Sequence, residues 1–552
     1  MMKKIAQRSF FTAVCLGLLS LLMVSPSTAF PTLNLGEETE LTFYGWVRNN
    51  TGMFLENPQP FSKSSNDLAT ERTWLRGYTD FKINDQLRFW SAIQFAYEPP
   101  YPVEHDASTS LSKFLAEMPI KGGGNEYSEY KNINDVWREV YFAWKPTSAD
   151  SIKIGRQIAI WGEALTTRVG DVVHPEDDRY SLAFANLEDT RIPSWMIRAI
   201  HDIPNINSSL EVIFNPNLVG ERYRVNQSAT FADPIGGFTG ERFGINIERR
   251  FAPPYSVGNA ALGPPFSTFG VVAPPPLSRD WIFSPFAPGS HWVPTDIPVF
   301  KQNLPNGLES IRGGFRTNTT IEGYNFGVSY FHTQNYDPVS KREGLIPGQI
   351  NPETHLPYRY YALDYPNIDI IGAYLNKQLT GASPIPGVLR ADFIYVPNKP
   401  FNTFDLRVPD AVVDRSYMKY MVAYDLNSYF YFSWHKDASF DITFEHVGEV
   451  VPNNKQLQYA IYDTKWVKWN PSFNVGITTT WLYNEISTQL IAGYFPWGNS
   501  GLLMPIVKYT PPLWNQKLSF ELRYIGVFGN NYKGLGILNS KDMVVFTTEF
   551  DW

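Results

Sequence analysis

Apolar and polar side chains alternate with a period of two along most of this chain, and no other feature limits its folding so strongly. In the segment Lys517–Tyr524, Leu518, Phe520, Leu522 and Tyr524 share one face, while Lys517, Ser519, Glu521 and Arg523 share the other. Phe473, Val475, Ile477, Thr479 and Trp481 alternate with Asn474, Gly476, Thr478 and Thr480 in the same way. Leu87, Phe89, Ile93 and Phe95 oppose Arg88, Trp90, Gln94 and Ala96. Successive side chains of a strand point to opposite faces, so each segment reads as a strand with one apolar and one polar surface. Soluble sandwiches also alternate, so the pattern alone does not choose between architectures.

The spacing does choose. Strands are predicted at 41–49, 72–83, 86–97, 136–144, 151–160, 195–202, 208–215, 311–321, 324–333, 368–377, 387–396, 415–425, 428–447, 472–482, 487–495, 502–510, 516–526 and 540–552. The even-numbered connections hold nine residues or fewer, whereas the odd-numbered ones reach 95. A transmembrane barrel with short turns on one rim and long loops on the other imposes that rule; a Greek-key sandwich has no reason to keep it. The expected fold is therefore all-β, a closed antiparallel transmembrane β-barrel of about 18 strands, with 16–20 as the range. Short turns would be periplasmic, and long extracellular loops would span 98–135, 161–194, 216–310 and 334–367. Residues 428–447 read as one long strand, because Phe430, Phe432, Trp434, Ala438, Phe440, Ile442 and Phe444 keep one face through His435-Lys436-Asp437. Lys436 would then lie at the outer interface.

Export is written at the N-terminus. Lys3, Lys4 and Arg8 precede an apolar run from Phe10 to Val24, and Ser27-Thr28-Ala29 offers small residues for a peptidase. Residues 1–29 are thus expected to be a cleaved secretory signal, leaving 30–552 as the barrel; an uncleaved anchor is the alternative. No later stretch approaches the ~20 apolar residues of a spanning helix. Aromatics at 15% suit interfacial belts. The lone cysteine, Cys15, lies in the signal. Without it the exported chain can form no disulfide, thiolate metal site, cysteine nucleophile or covalent c-type haem site. The charge of −7 falls to −10 once the three basic residues of the signal are removed, and nothing suggests a nucleic-acid partner. No cofactor is implied.

The C-terminus alternates to its final residue, with Val544, Phe546, Thr548, Phe550 and Trp552 against Val545, Thr547, Glu549 and Asp551. This resembles the terminal signature of bacterial outer-membrane barrels. The resemblance implies recognition by the outer-membrane assembly machinery through Phe550 and Trp552, and residence among outer-membrane lipid and lipopolysaccharide. At about 18 strands the interior is too wide to be filled by side chains alone, so a pore is the default consequence.

With the polar face inward, the candidate pore lining comprises Arg72, Arg76, Asp80, Lys82 and Arg88, then Arg312 and Arg316, then Asp437, Asp441 and Glu445, then Glu521 and Arg523. Glu549 and Asp551 lie near the seam. Segregated basic and acidic walls would set a field across the pore and orient polar or zwitterionic solutes. The alternative is that these charges pair between neighbouring strands and stiffen the wall. The connection at 161–194 carries a second constellation: Trp161, Gly162 and Glu163, then Asp171, His174 and Pro175. Its acids lack the spacing of a calcium loop. A folded loop held by Arg168, Arg179 and Arg191 is the expectation. The proline-rich segment 216–310 is expected to cap the pore or fold inward, with a possible hairpin at Phe243–Phe251.

Gly155-Arg156-Gln157, Trp161-Gly162-Glu163 and His174-Pro175, together with Trp137-Arg138-Glu139-Val140-Tyr141 and Arg191-Ile192-Pro193, resemble a family of Gram-negative, porin-like outer-membrane proteins long filed as a domain of unknown function. There is a weaker similarity to polysaccharide-export barrels. The resemblance implies a channel, and periplasmic or inner-membrane transport proteins as partners, but names no substrate. Arg156 falls in the apolar register of Ile152, Ile154, Ile158 and Ile160. Either a bulge at Gly155 turns it inward or this strand lies partly outside lipid.

Other classes fit less well. An outer-membrane hydrolase could draw on Ser433, His435 and Asp437, but same-strand neighbours at i+2 sit ~7 Å apart, too far for a direct relay. Only about a dozen residues separate Phe30 from the first strand, too few for the plug of an energy-coupled receptor. A sleeve or export conduit working with other proteins remains an alternative, as does an adhesive barrel.

Overall fold

The computed structural model describes residues 32–55, 68–97, 136–163, 168–175, 191–216, 299–303, 307–335, 339–350, 357–379, 386–403, 412–428, 439–455, 457–458, 467–512, 516–529 and 542–552. Alternation becomes eighteen long strands. These are β1 (Glu40–Phe54), β2 (Leu68–Lys82), β3 (Leu87–Tyr97), β4 (Trp137–Trp144), β5 (Asp150–Gln157) and β6 (Ser194–Ile203). There follow β7 (Ser208–Asn215), β8 (Arg312–Ile321), β9 (Tyr324–Gln334), β10 (Asn367–Leu379), β11 (Gly387–Thr403) and β12 (Val412–Ser428). The last are β13 (Phe440–Val450), β14 (Trp469–Trp481), β15 (Ile486–Phe495), β16 (Ser500–Tyr509), β17 (Leu518–Phe528) and β18 (Met543–Asp551). Each pairs antiparallel with the next, and β18 pairs with β1 from Trp46↔Asp551 to Phe54↔Met543, which closes the barrel. Closure leaves the barrel sheet itself, among the described residues, without a strand edge for another chain to extend.

The register carries the apolar face outward all the way round. Phe142, Ile154, Val328, Phe444 and Leu522 are about half exposed on the outer surface. Their sequence neighbours Tyr141, Lys153, Ser329, Glu445 and Arg523 take the inner one. On one rim the chain reverses through tight turns with evident local causes. Asn84 Oδ1 accepts from the amides of Gln86 and Leu87 at 2.9 and 2.8 Å. Between β8 and β9 the two turn residues Glu322 and Gly323 have φ of 51° and 74°, the conformation that matches strand twist in a two-residue hairpin.

The seam is closed by the last residue. Trp552 N donates to Gly45 O at 2.9 Å, and Gly45 N donates to Trp552 O at 3.2 Å. Gly45 pairs with Gly77, and a Cβ on Gly45 would lie 2.5 Å from the Trp552 indole and 2.2 Å from Arg76 O. The side chain missing at Gly45 is therefore the space that the terminal ring needs.

Two expectations are corrected. The strand read over 428–447 does not exist as one element. Ser428 ends β12 and faces Phe440, the first residue of β13, so the chain turns back between them. The alternation stays in phase on both sides of that reversal, which is why it reads as continuous. Residues 429–438, including Ser433, His435, Lys436 and Asp437, lie outside the described residues. The segment 334–367, expected to be loop, contributes Val339–Ile350 and Pro357–Asp364, an antiparallel pair joined by the parallel strand Val299–Asn303 in a separate three-stranded sheet. The signal segment, the loop 98–135, Phe243–Phe251 and Arg179 also fall outside the described residues.

Arg156 has a specific environment. Pairing runs through Gly155 without a register shift, but its φ of +139° is one that side chains rarely adopt. Arg156 is buried, and its Nε donates to Arg138 O at 3.1 Å.

Candidate functional site

The connection between β5 and β6 does not stay on the rim. Its described parts, 158–163, 168–175 and 191–193, enclose an apolar core together with the inner face of the wall. Ala159, Trp161, Val169, Val172 and Val173 are buried against a cluster that includes Ile213, Phe331, Ile370, Ile394 and Met421. Trp161 meets Phe331 edge-on at 5.3 Å. Those wall residues sit on the face that should be polar in a water-filled barrel, and the loop covering them explains why they are not. The loop therefore occupies part of the lumen.

Charges on the wall hold it there. Asp392 Oδ2 accepts from Glu163 N at 2.8 Å, and Arg390 donates to Glu163 O. Arg316 donates to Trp161 O at 3.2 Å and lies 5.7 Å from the Trp161 ring. Glu211 fixes that arginine: its carboxylate pairs with Arg316 at 2.8 Å and with Arg198 at 2.6 Å. Two backbone carbonyls and one amide of the loop are thus met by ionised groups, the stronger class of hydrogen bond.

Inside the loop, Asp171 pairs with Arg191 at 2.6 Å and with Arg168 at 3.2 Å. Burial opposes its charge, but the two guanidiniums outweigh that and hold its carboxyl below the usual range. Arg168 also donates to the carbonyls of Asp171 and His174, both at 2.7 Å. His174 is fully buried. Ala159 N donates to its Nε2 at 2.8 Å, so that nitrogen accepts and Nδ1 carries the proton, donating to Ile192 O at 3.1 Å. Burial drives its pKa down to about 3, with Asp171 opposing and Arg168 and Arg312 adding to the effect. His174 is a neutral linchpin of the loop, and the loop motif predicted from sequence is an internal scaffold of the lumen.

The pore-lining candidates divide. Arg76 and Arg88 both lie on the luminal face of β2 and β3, but at separate levels, Arg76 opposite Gln94 and Arg88 opposite Lys82. Arg88 grips Asp80 with two hydrogen bonds, and Arg76 donates to Gln94 Oε1 at 2.8 Å while lying 4.6 Å from the Trp46 ring. Lys82 is exposed and pairs with Asp85 in the turn at 2.7 Å. Arg312 is wholly buried near His174, away from open water. Arg316 serves the loop. Asp441 accepts from Asn427 at 2.5 Å and Glu445 is buried in the β13 wall. Arg523 pairs with Glu521 two residues before it at 2.7 Å. Arg72 faces Asn50 in the β1–β2 register; its side chain and Asp437 lie outside the described residues.

Sequence reasoning missed Arg198, Glu211, Arg390, Asp392 and Asp425, and a signal for them existed. Glu211 is a lone acid in Leu210-Glu211-Val212-Ile213-Phe214, and Arg390 and Asp392 alternate with Leu389, Ala391 and Phe393. Adding them shows that the inner wall is unevenly charged. The luminal register of β1–β6 carries Arg48, Arg76, Arg88, Lys153 and Arg198 against Glu40, Asp80, Glu139 and Asp202, with Lys82 at its end. That of β11–β13 carries Asp392, Asp425, Asp441, Glu445 and Glu449 against Arg390, Lys399, Arg415 and Lys419, so its charges nearly balance. Many of these charges nonetheless pair locally, as Arg390 does with Asp425 at 2.5 Å and Lys419 with Glu449 at 3.3 Å.

Among solved structures, the chain is similar to OccAB4 of Acinetobacter baumannii, with 8% identity, a TM-score of 0.42, and coverage of 94% of this chain and 100% of that one. OmpF of Salmonella typhi, solved as a complex with daunomycin, gives 8% identity, a TM-score of 0.37 and coverage of 93% and 98%. The outer membrane channel DcaP of Acinetobacter baumannii gives 9%, 0.36, and coverage of 95% and 100%. No family model and no curated protein matches the chain.

Proposed function

We propose that this protein is a channel of the bacterial outer membrane that passes small polar or amphipathic solutes, with the β5–β6 loop setting the constriction. One observation carries the reading: a closed eighteen-stranded sheet presents apolar side chains outward and charged ones inward, around a lumen that the described parts of one loop enter. A barrel satisfies every backbone amide within itself, which is what crossing hydrocarbon demands of a strand. The half-exposed outer face, from Phe142 to Leu522, is a liability in water and suited to lipid. On this reading the surroundings are outer-membrane lipid and lipopolysaccharide, insertion depends on the assembly machinery reading Phe550 and Trp552, and the unevenly charged inner wall orients solutes in transit.

The test is conductance of the refolded full chain in planar bilayers. Discrete, stable current steps in potassium chloride are expected. A barrel that inserts, resists denaturation as a folded band and yet carries no current would contradict the reading and favour a sealed sleeve or scaffold.

A further inference from the structure

The luminal face of β1–β5 bears a file of aromatic rings that neither lipid contact nor the inward loop explains. Tyr44 stacks on Tyr78 at 4.9 Å, Tyr78 lies 5.7 Å from Trp90, and Trp90 lies nearly parallel to Tyr141 at 6.5 Å. The register places all four on the inner surface, since Tyr44 faces Tyr78, Asp80 faces Trp90 and Trp90 faces Tyr141. Interfacial anchoring accounts for outward Trp and Tyr, but these rings are on the luminal face. They also lie apart from the apolar core beneath the loop.

The groups between the rings are cations whose carboxylate partners are largely engaged. Arg88 is held by Asp80 and lies 5.9 Å from the Trp90 ring, while Arg48 is held by Glu549 and lies 4.4 Å from Trp46. Lys153 differs. Its Nζ stands 4.9 Å from the centre of the Tyr141 ring, and among the described residues it enters no ion pair. Half-buried luminal rings next to an ammonium without a carboxylate partner make a surface with two preferences, one for a flat apolar face and one for a negative charge.

Resting on the channel reading above, we propose that this strip is a transit subsite for flat-ringed organic anions, the ring lying on Trp90 and Tyr141 and the anionic group turned to Lys153. Aromatic stacking and the field of the basic arc act together on such a solute. A ringed cation gains the stacking but is repelled by the basic arc. A small anion without a ring feels the charge alone.

The experiment is single-channel recording of the full chain in potassium chloride with millimolar 2-naphthoate, acetate or a naphthyl trimethylammonium salt. Naphthoate should interrupt the current in resolved events, and the other two should not. Trp90→Leu with Tyr141→Leu should shorten those events ~3–10-fold, and Lys153→Gln should shorten or thin them while leaving the chloride step in place. If naphthoate and acetate act alike on the wild-type channel, or if naphthoate dwell times survive Lys153→Gln and the ring substitutions unchanged, the subsite is refuted although the channel stands. If the wild-type chain gives no chloride steps at all, the channel reading fails and the subsite falls with it. The wild-type solute comparison decides the matter even where a variant does not fold.

Discussion

Replacing Trp161 by alanine should loosen the inward loop, and the size of the effect can be worked from its surroundings. The side chain is 2% exposed and packs on Phe331 inside the lumen core. Truncating a buried tryptophan costs about 3–5 kcal/mol. The tethers from Asp392, Arg390 and Arg316 address backbone atoms of residues 161–163 and survive the substitution. Each charge-assisted bond of that kind contributes about 1.5–3 kcal/mol. The loss is comparable to what remains, so the loop should be released intermittently and not expelled. Single-channel records of Trp161→Ala should show a higher mean conductance and frequent sublevels, whereas Trp161→Phe should stay close to wild type. Conductance, noise and thermal unfolding all unchanged in Trp161→Ala would refute the argument that this loop is seated by its indole and narrows the path.

Three further outcomes follow from particular groups. His174 must be neutral in the fold and is protonated more readily when unfolded, so its contribution is complete above about pH 6.5 and declines as pH falls toward about 3; at about pH 4.5 the loop should have lost roughly 2–3 kcal/mol. Thermal unfolding compared at about pH 7 and pH 4.5 checks this, and equal stability at the two would count against it. Gly45→Val should crowd Trp552 and Arg76 O at the seam and cost roughly 1–3 kcal/mol, visible as a lower temperature for loss of the compact band on semi-native gels. Arg76→Glu combined with Arg88→Glu should shift reversal potentials toward cation preference, since Asp80 would lose its partner as well; an unchanged ratio would place both residues off the conduction path.

The barrel was legible because period two is a direct image of a sheet with two different sides, and the strands fall where the alternation puts them, with ends that differ by up to seven residues as at Gly387–Thr403, except at 428–447. That exception has a physical cause. A reversal that keeps parity leaves the alternation in phase, and a pattern of faces cannot report chain direction. The inward loop was legible only in part. Arg168 and Arg191 do hold it, but its position inside the lumen was hidden, because Ile213, Phe331, Ile370, Ile394 and Met421 read as lapses in a polar face until the covering segment is known. Charges inside a barrel carry the same ambiguity: Arg312 and Arg316 have the register of pore-lining residues, yet one is buried near the loop and the other binds it.

The most direct test uses a chain whose one cysteine, Cys15, is replaced by serine, which makes any introduced thiol unique. Neighbouring positions would be replaced singly by cysteine, Thr443 and Phe444 on β13, Leu522 and Arg523 on β17, and the chain reconstituted in vesicles and treated with a charged, lipid-insoluble maleimide. Thr443 and Arg523 should be labelled through the aqueous lumen, and Phe444 and Leu522 should be protected. Equal labelling at neighbouring positions, or protection of the inner pair with labelling of the outer, would contradict a barrel that is apolar outside and wet within.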